Sequence, residues 1–108
     1  MGGPVASRDN RVRLDLNDAK FQEVFLALEP ADWRQVSASL RRLRSMNWNT
    51  VYIHPGLNWE AVDHVKAQAG AKVYSLRLSQ KIRALACRDG DVLRFISLHL
   101  DHDSAYKR

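Results

Sequence analysis

Three strand-length apolar runs follow one another in the second half of the chain, "VYSLRLS", "IRALACR" and "DVLRFISLHL". Between the last two lies "RDGD", whose Asp-Gly pair is typical of a tight hairpin turn. Strands joined by a short turn pair antiparallel, and their apolar face needs a covering layer. The pattern therefore predicts an antiparallel sheet that must be backed by other elements of the chain.

The first half of the chain supplies the elements for that layer. "RVRLDL" alternates apolar and polar residues with the period of a half-buried strand. Asn17 is the expected cap of a first helix, and Glu29-Pro30 ends it and begins a second, since proline is favoured in a first turn. The two helices carry apolar stripes at helical spacing, formed by Phe21, Val24, Phe25 and Leu28 and by Trp33, Val36, Leu40 and Leu43.

Two segments between the helices and the sheet have weaker patterns. "MNWNTVYIHPGLNW" is punctuated by Asn, Pro and Gly and is expected to be a loop or partly extended. "EAVDHVKAQAG" is expected to hold a short helical turn that Gly70 closes. The predicted fold is therefore α+β with the order β-α-α-β-β-β, in which a helical hairpin packs on one face of an antiparallel sheet.

Length and cysteine content limit the class of protein. A chain of 108 residues suffices for one domain, and no apolar run approaches the length of a membrane span. Residues 1–10 are expected to be a disordered lead-in or a cloning remnant. Cys87 is the single cysteine, which excludes an internal disulfide and predicts a buried, inert thiol. These features favour a cytoplasmic protein without membrane contact.

Strand parity predicts which late side chains face away from the helices. Successive residues of a strand point to opposite sides of the sheet. With the apolar residues under the helices, Arg77, Ser97 and His99 are expected on an uncovered sheet face. The facing of Arg83 stays open, because a strict two-residue loop sets it opposite Ile96 toward the core, whereas a bulge reverses it.

The charge distribution favours a polyanionic partner. The formal net charge is +5, and no Asp or Glu occurs between His64 and Arg88. Positive charge in such a concentration attracts phosphate, although a solvated basic surface explains the same pattern. Both interpretations remain open. The basic residues of this run considered for phosphate or RNA binding are Lys72, Arg77 and Lys81.

The C-terminal stretch "HLDHDSAY" gathers titratable side chains at the end of the last strand. No HExxH motif, cysteine pair, GxGxxG or P-loop accompanies them, so neither a metal nor a nucleotide cofactor is expected. Arginine, histidine and tyrosine together are suited to metal-free RNA cleavage, which needs a base, an acid and cations for the phosphorane. In the alternative interpretation, His99 and Tyr106 only hold the C-terminus by hydrogen bonds. The residues alone leave both open.

The stretch "VYSLRLSQKIRALACRDGDVLRFISLHLDHDSAY" resembles the C-terminal half of the RelE/ParE toxin superfamily. The matching features are Arg77 on one strand, Arg83 in "IRALA", a hydrophobic last strand and a C-terminal "HD…Y". The element order and the segment "GLNWE" also agree, so the resemblance covers residues 11–108, and the first half matches in pattern only. It implies a RelE-like toxin domain over those residues, with a cognate antitoxin as partner.

The resemblance also implies roles for individual residues. Arg83 matches the arginine that contacts the scissile phosphate in RelE- and YoeB-like nucleases, and Arg77 matches a supporting, phosphate-binding arginine. Tyr106 matches the C-terminal tyrosine that stacks on or activates the substrate. His99, by strand parity, or His102, by motif, takes the acid/base place that histidine holds in YoeB- and HigB-like members. Lys72 and Lys81 are the accompanying RNA-binding candidates.

The activity implied by the resemblance is that of a type II toxin, an mRNA interferase that inhibits translation by cutting mRNA at the ribosome without a metal or cofactor. Where RelE is basic before its last tyrosine, this chain has "LDHDSA", with Asp101 and Asp103. The ending "HDSAY" is closer to RelE-like modules of UvrD-type helicases. The alternatives are therefore a non-catalytic protein-binding module that docks through the sheet face and the basic second helix, and a ParE-like inhibitor of gyrase.

A homodimer is a further open point in the expected partners. The aromatic residues Trp48, Tyr52 and Trp59 form a sticky surface if they are exposed. Packing of these rings over the sheet edge is the favoured interpretation.

Overall fold

The computed structural model describes residues 10–66 and 70–100 and shows a sheet with helices on one face. The α+β fold class predicted from the sequence is confirmed. The structure adds a strand and a short helix to the predicted order. In chain order, the elements are β1 (Arg13–Asp15), α1 (Ala19–Leu26), α2 (Pro30–Arg44), α3 (Trp48–Ile53), β2 (Glu60–Lys66), β3 (Lys72–Arg77), β4 (Arg83–Asp89) and β5 (Val92–His99).

The sheet has five strands in the order β1-β5-β4-β3-β2. The four later strands pair antiparallel with their neighbours, whereas β1 lies parallel to β5 with Arg13 opposite Val92. The backbone N–H of Arg13 donates to the carbonyl of Asp91 at 2.9 Å, which anchors β1 beside the β4–β5 turn. The predicted antiparallel sheet is therefore extended by one parallel strand at its edge.

The two long helices begin where local chemistry favours a start. The Asp18 carboxylate accepts the backbone N–H groups of Lys20 and Phe21 at 2.8 and 3.3 Å, so Asp18 caps α1 rather than the predicted Asn17. Pro30 is the first residue of α2, as predicted from its lack of an N–H donor. No helix in residues 10–66 or 70–100 has the length and apolar composition needed to cross a membrane.

The main core lies between the helices and the sheet. The rings of Phe21 on α1 and Phe95 on β5 are fully buried, with centroids 5.2 Å apart. Val36, Leu40 and Leu43 of the predicted α2 stripe are buried here as well. Burial of each such side chain contributes about 1.5–3 kcal/mol to folding. The helical stripes read from the sequence therefore mark the face that covers the sheet.

The segment expected to be a loop contains the short helix α3. The Asn47 side chain accepts the backbone N–H of Thr50 at 2.9 Å and caps it. Its two buried residues, Trp48 and Val51, are three positions apart on one helical face. The prediction of a loop was wrong, since an Asn cap and one apolar pair suffice for a helix that packs on a core.

The segment expected to hold a helical turn is strand β2. Its first residues pair with β3, with Glu60 opposite Ser75 and Ala61 opposite Tyr74, before the register becomes irregular. Val62 is buried against Val73 on the sheet. Residues 60–66 are therefore extended rather than helical, because pairing with a neighbouring strand outweighs a weak local pattern. The part of the predicted turn at residues 67–69, just before Gly70, lies outside the described residues.

The β4–β5 hairpin contains the bulge that the sequence left open. Gly90, with φ of 62°, occupies the first position of a two-residue loop, where backbone of this kind favours glycine. Leu85 then pairs with Ser97 but Ala86 pairs with Phe95, so Ile96 is an extra residue in β5. From Ser97 onward, the bulge reverses the face that each β5 residue would otherwise present to β4.

The sheet face opposite the helices, which was expected to be uncovered, carries a small apolar cluster of its own. Val62, Val73, Leu85 and Cys87 form a second buried cluster there, with Ile96 packed against it. Strand β2, which the sequence did not reveal, contributes Val62 to this face. Cys87 is only 1% exposed, which confirms the predicted buried thiol. Burial raises the pKa of that thiol, with the nearby Arg94 guanidinium opposing the effect.

Candidate active site on the open sheet face

Three of the predicted site residues lie side by side across three strands. Arg77 on β3 is directly opposite Arg83 on β4, and Arg83 is directly opposite His99 on β5. Residues that are directly opposite share a sheet face and have Cβ atoms about 4.5–5.5 Å apart. We call this set, Arg77, Arg83 and His99, the arginine–histidine row. The bulge at Ile96 creates it, because without the extra residue His99 would not lie opposite Arg83.

Arg83 is buried and held by polar groups of two other strands. Its side chain is 6% exposed, and Nη2 donates to the Ser75 hydroxyl on β3 at 2.7 Å. The same nitrogen lies 3.6 Å from a carboxylate oxygen of Glu60 on β2. The guanidinium therefore extends across β3 toward β2. Arg83, whose facing the sequence left open, lies on the sheet face away from the helices.

His99 is half-buried at the other end of the row. Its Nε2 lies 2.9 Å from the hydroxyl of Ser97, which shares its face of β5. Burial lowers the pKa of His99 below its usual value near 6.5, because desolvation disfavours the imidazolium. The ring is therefore mainly neutral near pH 7, which is the state required of a general base.

Arg77 is the more accessible arginine of the row. Its Nη1 donates to the carbonyl of Gln80 at 3.0 Å in the turn between β3 and β4. Its backbone N–H donates to the carbonyl of Leu57 at 2.7 Å, which fixes the end of β3 against the segment after α3. No carboxylate of the described ranges pairs with this guanidinium, so it retains donors for an anion.

The two candidate lysines do not join the row. Lys81 is on the β3–β4 turn, and its ammonium lies 3.4 Å from the carboxylate of Asp32 on α2. Lys72 is exposed at the opposite end of β3 from Arg77 and has the strand parity of Tyr74 and Leu76. The structure thus brings together Arg77, Arg83 and His99 and separates both lysines from them.

The remaining candidates fall outside the described residues. His102 and Tyr106 follow the last described position, as do Asp101 and Asp103. Almost all of the predicted lead-in, residues 1–9 of 1–10, is outside as well. Their expected roles are therefore taken up only as parts of the proposals below.

Glu60 is the polar residue of this face that sequence reasoning missed. Its side chain is 56% exposed and forms the ion pair with Arg83. It lies in a segment that was expected to hold a helical turn, so its position on the same sheet face as Arg83 was not recognised. The sequence signal for this strand was that "NWEAV" alternates in the same way as "VYSLR". That match is recognised as strand pairing only once the two segments are known to be neighbours.

The row provides two cations and one neutral imidazole on a partly desolvated surface. Guanidinium groups bind phosphate through fixed pairs of N–H donors, and a neutral imidazole accepts a proton. Within residues 10–66 and 70–100, no group of three or more His, Cys, Asp or Glu side chains is arranged to hold a metal ion. The arrangement is able to bind a phosphodiester and to remove a proton from a neighbouring hydroxyl.

The comparison with solved structures gives a match to RelE in the crystal structure of the archaeal RelE-RelB complex from Pyrococcus horikoshii OT3. The TM-score is 0.55 at 14% identity, and the match covers 83% of this chain and 92% of that chain. No protein-family model matches the chain, and no curated protein matches its sequence. The two proteins share element packing over most of their lengths, at an identity that carries no information on activity. The chain has a RelE-like fold.

Proposed function

We propose that this chain is the toxin of a type II toxin-antitoxin system and cleaves mRNA as a metal-free endoribonuclease at the ribosome. The observation that carries the proposal is the arginine–histidine row, in which the Ile96 bulge sets His99 opposite Arg83 on the face away from the helices. The RelE-like fold is the second support.

Each residue of the row has a role in this reaction. Neutral His99 takes the proton from the 2′-hydroxyl, and the 2′-oxygen then attacks the adjacent phosphorus. Arg83 and Arg77 stabilise the negative charge that develops on the phosphorane oxygens. The bond to the 5′-oxygen breaks, and that oxygen receives a proton. His102 or Tyr106 is the proposed acid, and Tyr106 stacks on or orients the substrate.

Glu60 modulates access to Arg83 in this proposal. Its carboxylate lies 3.6 Å from the Arg83 guanidinium, at the place where a phosphate oxygen would otherwise bind. The Glu60 side chain is 56% exposed, so it can move into water when a phosphate takes its place.

The test is induced expression in bacteria, followed by plating counts and by primer extension on a reporter transcript. We expect the wild-type chain to stop growth and to produce new 5′ ends in the transcript. His99→Ala and Arg83→Ala should each lower the cleavage rate about 10²–10³-fold, as expected for loss of a base or an oxyanion-stabilising donor. Tyr106→Phe should also relieve growth arrest.

The matched control is Arg13→Ala, which removes the same charge from an exposed position on β1. It should arrest growth like the wild type. Circular dichroism must show that Arg83→Ala and Tyr106→Phe remain folded. Growth arrest that survives both of these changes in folded protein contradicts the proposal.

The proposed partner is a cognate antitoxin protein in the cytoplasm. The solved structure with the similar fold is a complex of RelE with RelB, which makes a bound antitoxin the natural expectation. Co-expression of the open reading frame next to this gene should restore growth and should copurify with the chain. Failure of any neighbouring frame to do so argues against a two-gene system.

A second candidate function is a non-catalytic binding module of the same fold. The observation in its favour is the burial of Arg83, whose Nη2 donates to Ser75 and lies beside Glu60 rather than being presented to solvent. In that case the wild-type chain leaves cellular RNA intact, and Glu60→Gln does not create cleavage. Cleavage by either protein favours the toxin.

A further inference from the structure

A cavity of about 280 Å³ opens beside the arginine–histidine row. It lies where α2, the segment after α3 and the β3–β4 turn meet, and Arg77 is one of its lining residues. The cavity and the row therefore adjoin at Arg77. Neighbouring strands of a sheet are about 4.8 Å apart. Arg83 is therefore one strand away from Arg77, and His99 is two strands away.

The described lining of this cavity is positively charged. It contains Arg42 from α2 and Arg77 from β3, and none of its lining residues within the described ranges is acidic. Arg42 Nη2 donates to the Ser39 hydroxyl at 3.0 Å, which orients the guanidinium at the cavity wall. Neither arginine has a carboxylate partner in the described part of the chain. Two guanidinium groups without carboxylates favour an anionic occupant.

His54 adds a third donor whose tautomer is set by the backbone. The N–H of Gly56 donates to His54 Nδ1 at 3.0 Å. A backbone N–H can only donate, so Nδ1 must be the unprotonated nitrogen of the ring. The ring therefore carries a proton on Nε2, which makes His54 a hydrogen-bond donor in the lining of the cavity.

The remaining lining is suited to the non-phosphate part of a nucleotide. Leu57 and Leu78 are buried, and the half-buried Met46 lies beside them. Gln80 and Ser79 add polar groups at the rim. The volume is close to the lower limit of about 300 Å³ for small-molecule pockets and exceeds what one phosphate requires. Size and lining therefore match one phosphate with a sugar or base attached.

We infer that this cavity binds one nucleotide of a single-stranded RNA, adjacent to the phosphate held by the arginine–histidine row. Arg42, Arg77 and His54 Nε2–H bind the phosphate of that nucleotide, and the apolar floor contacts its sugar or base. This inference rests on the proposed function, since it names how the substrate strand is placed. Arg77 contacts both phosphates and sets the path of the strand across the sheet edge.

The test is fluorescence anisotropy of the full chain with a short, labelled, 2′-O-methyl single-stranded RNA, which lacks the hydroxyl needed for cleavage. Arg42→Ala should weaken binding about tenfold or more, as expected for loss of a charge-assisted contact. The slope of log K against log salt should decrease in magnitude by about 0.7, the value for one phosphate contact on a single strand.

Two further variants make the test specific to the cavity. Arg44→Ala removes the same charge two positions along α2, where side chains do not share a face with Arg42, and should change affinity less than twofold. Gln80→Glu keeps the side-chain shape, places a carboxylate at the rim and should weaken binding like Arg42→Ala. Equal binding by Arg42→Ala and Arg44→Ala overturns the inference, as does unchanged binding by Gln80→Glu.

The two proposals fail in different ways. If the chain cuts natural RNA but Arg42→Ala binds like Arg44→Ala, the cavity inference is wrong and the nuclease stands. If the chain binds the 2′-O-methyl RNA through Arg42 but cuts nothing, the nuclease is wrong. Inorganic phosphate tests a free anion as the occupant. Phosphate that binds with dependence on Arg42, in a chain that does not bind the RNA, overturns the inference.

Discussion

The two faces of strands β3, β4 and β5 are built from the same alternating pattern but have different contents. On the helix-covered face, Leu76, Ala84 and Phe95 are all fully buried in one apolar cluster. The opposite face divides along the strands. Its half near Gly90 is the small apolar cluster around Cys87, and its half near the β3–β4 turn is the arginine–histidine row.

The difference shows what a covering layer does to a sheet. Two helices remove water from the whole of one face, and a polar group there would need a partner within the core. On the other face, burial is local, so Arg83 is buried while its Nη2 donates to Ser75 and lies beside the partly exposed carboxylate of Glu60. The candidate site lies on the face where water is only partly excluded, and burial there lowers the pKa of His99.

The largest expected effect is on the helix-covered face. Phe95→Ala should lower the free energy of unfolding by about 3–5 kcal/mol, because it leaves a cavity against Phe21 that the helices fill only in part. Urea denaturation followed by circular dichroism measures it. Ile96→Ala, at the next residue but on the other face, should cost less than half as much. Equal losses would remove the distinction between the faces.

A smaller effect is expected from the arginine on the opposite face. Arg83→Ala should lower the free energy of unfolding by about 1.5–3 kcal/mol, because the buried hydroxyl of Ser75 loses a charged donor. The exposed control Arg13→Ala should stay within about 0.5 kcal/mol of the wild type. If Arg83→Ala is as stable as the control in the same urea titration, the Arg83 contacts contribute nothing to the fold.

The smallest expected effect is the pH dependence that His99 contributes. Its pKa is lowered in the folded protein by burial, so the folded state binds fewer protons than the unfolded state near pH 6. The contribution of the neutral ring is complete above the unfolded pKa of about 6.5 and is lost as the pH falls through the folded pKa. Stability should therefore decline from pH 7.5 to pH 5.5.

The variant His99→Asn isolates this contribution. It should lose less stability over the same pH interval than the wild type, as measured by thermal unfolding at each pH. An equal loss in both proteins would mean that other groups cause the pH dependence, and that His99 titrates alike in the folded and unfolded chain.

The parts of the fold that were predictable are those with strong local patterns. The stripe from Val36 to Leu43 and the proline at the start of α2 sufficed for the second helix. The alternation in the late strands sufficed for the face of Arg77. Helix α3 and strand β2 were missed, because six residues around Trp48 and an irregular strand after Glu60 carry little periodicity.

The candidate site was only partly predictable for the same reason. The nature of its groups, guanidinium and imidazole, was plain from "SLRLS", "IRALA" and "SLHL". The partner of Arg83 was not, since Glu60 is 23 positions away in sequence and lies on β2, a strand that was not expected. The predicted lysines had the right charge, but Lys81 pairs with Asp32 and Lys72 lies at the far end of β3.

Local pattern was thus enough to specify which segments are helical or extended, which residues enter the main core and which chemical groups are available. The register of β5 against β4 depended on long-range pairing, because one extra residue at Ile96 reverses the facing of everything after it. That single residue places His99 beside Arg83. The bulge is consistent with the packing on both faces, because Phe95 lies in the core under the helices and Ile96 packs against the opposite cluster. Both contacts exist only in the assembled sheet.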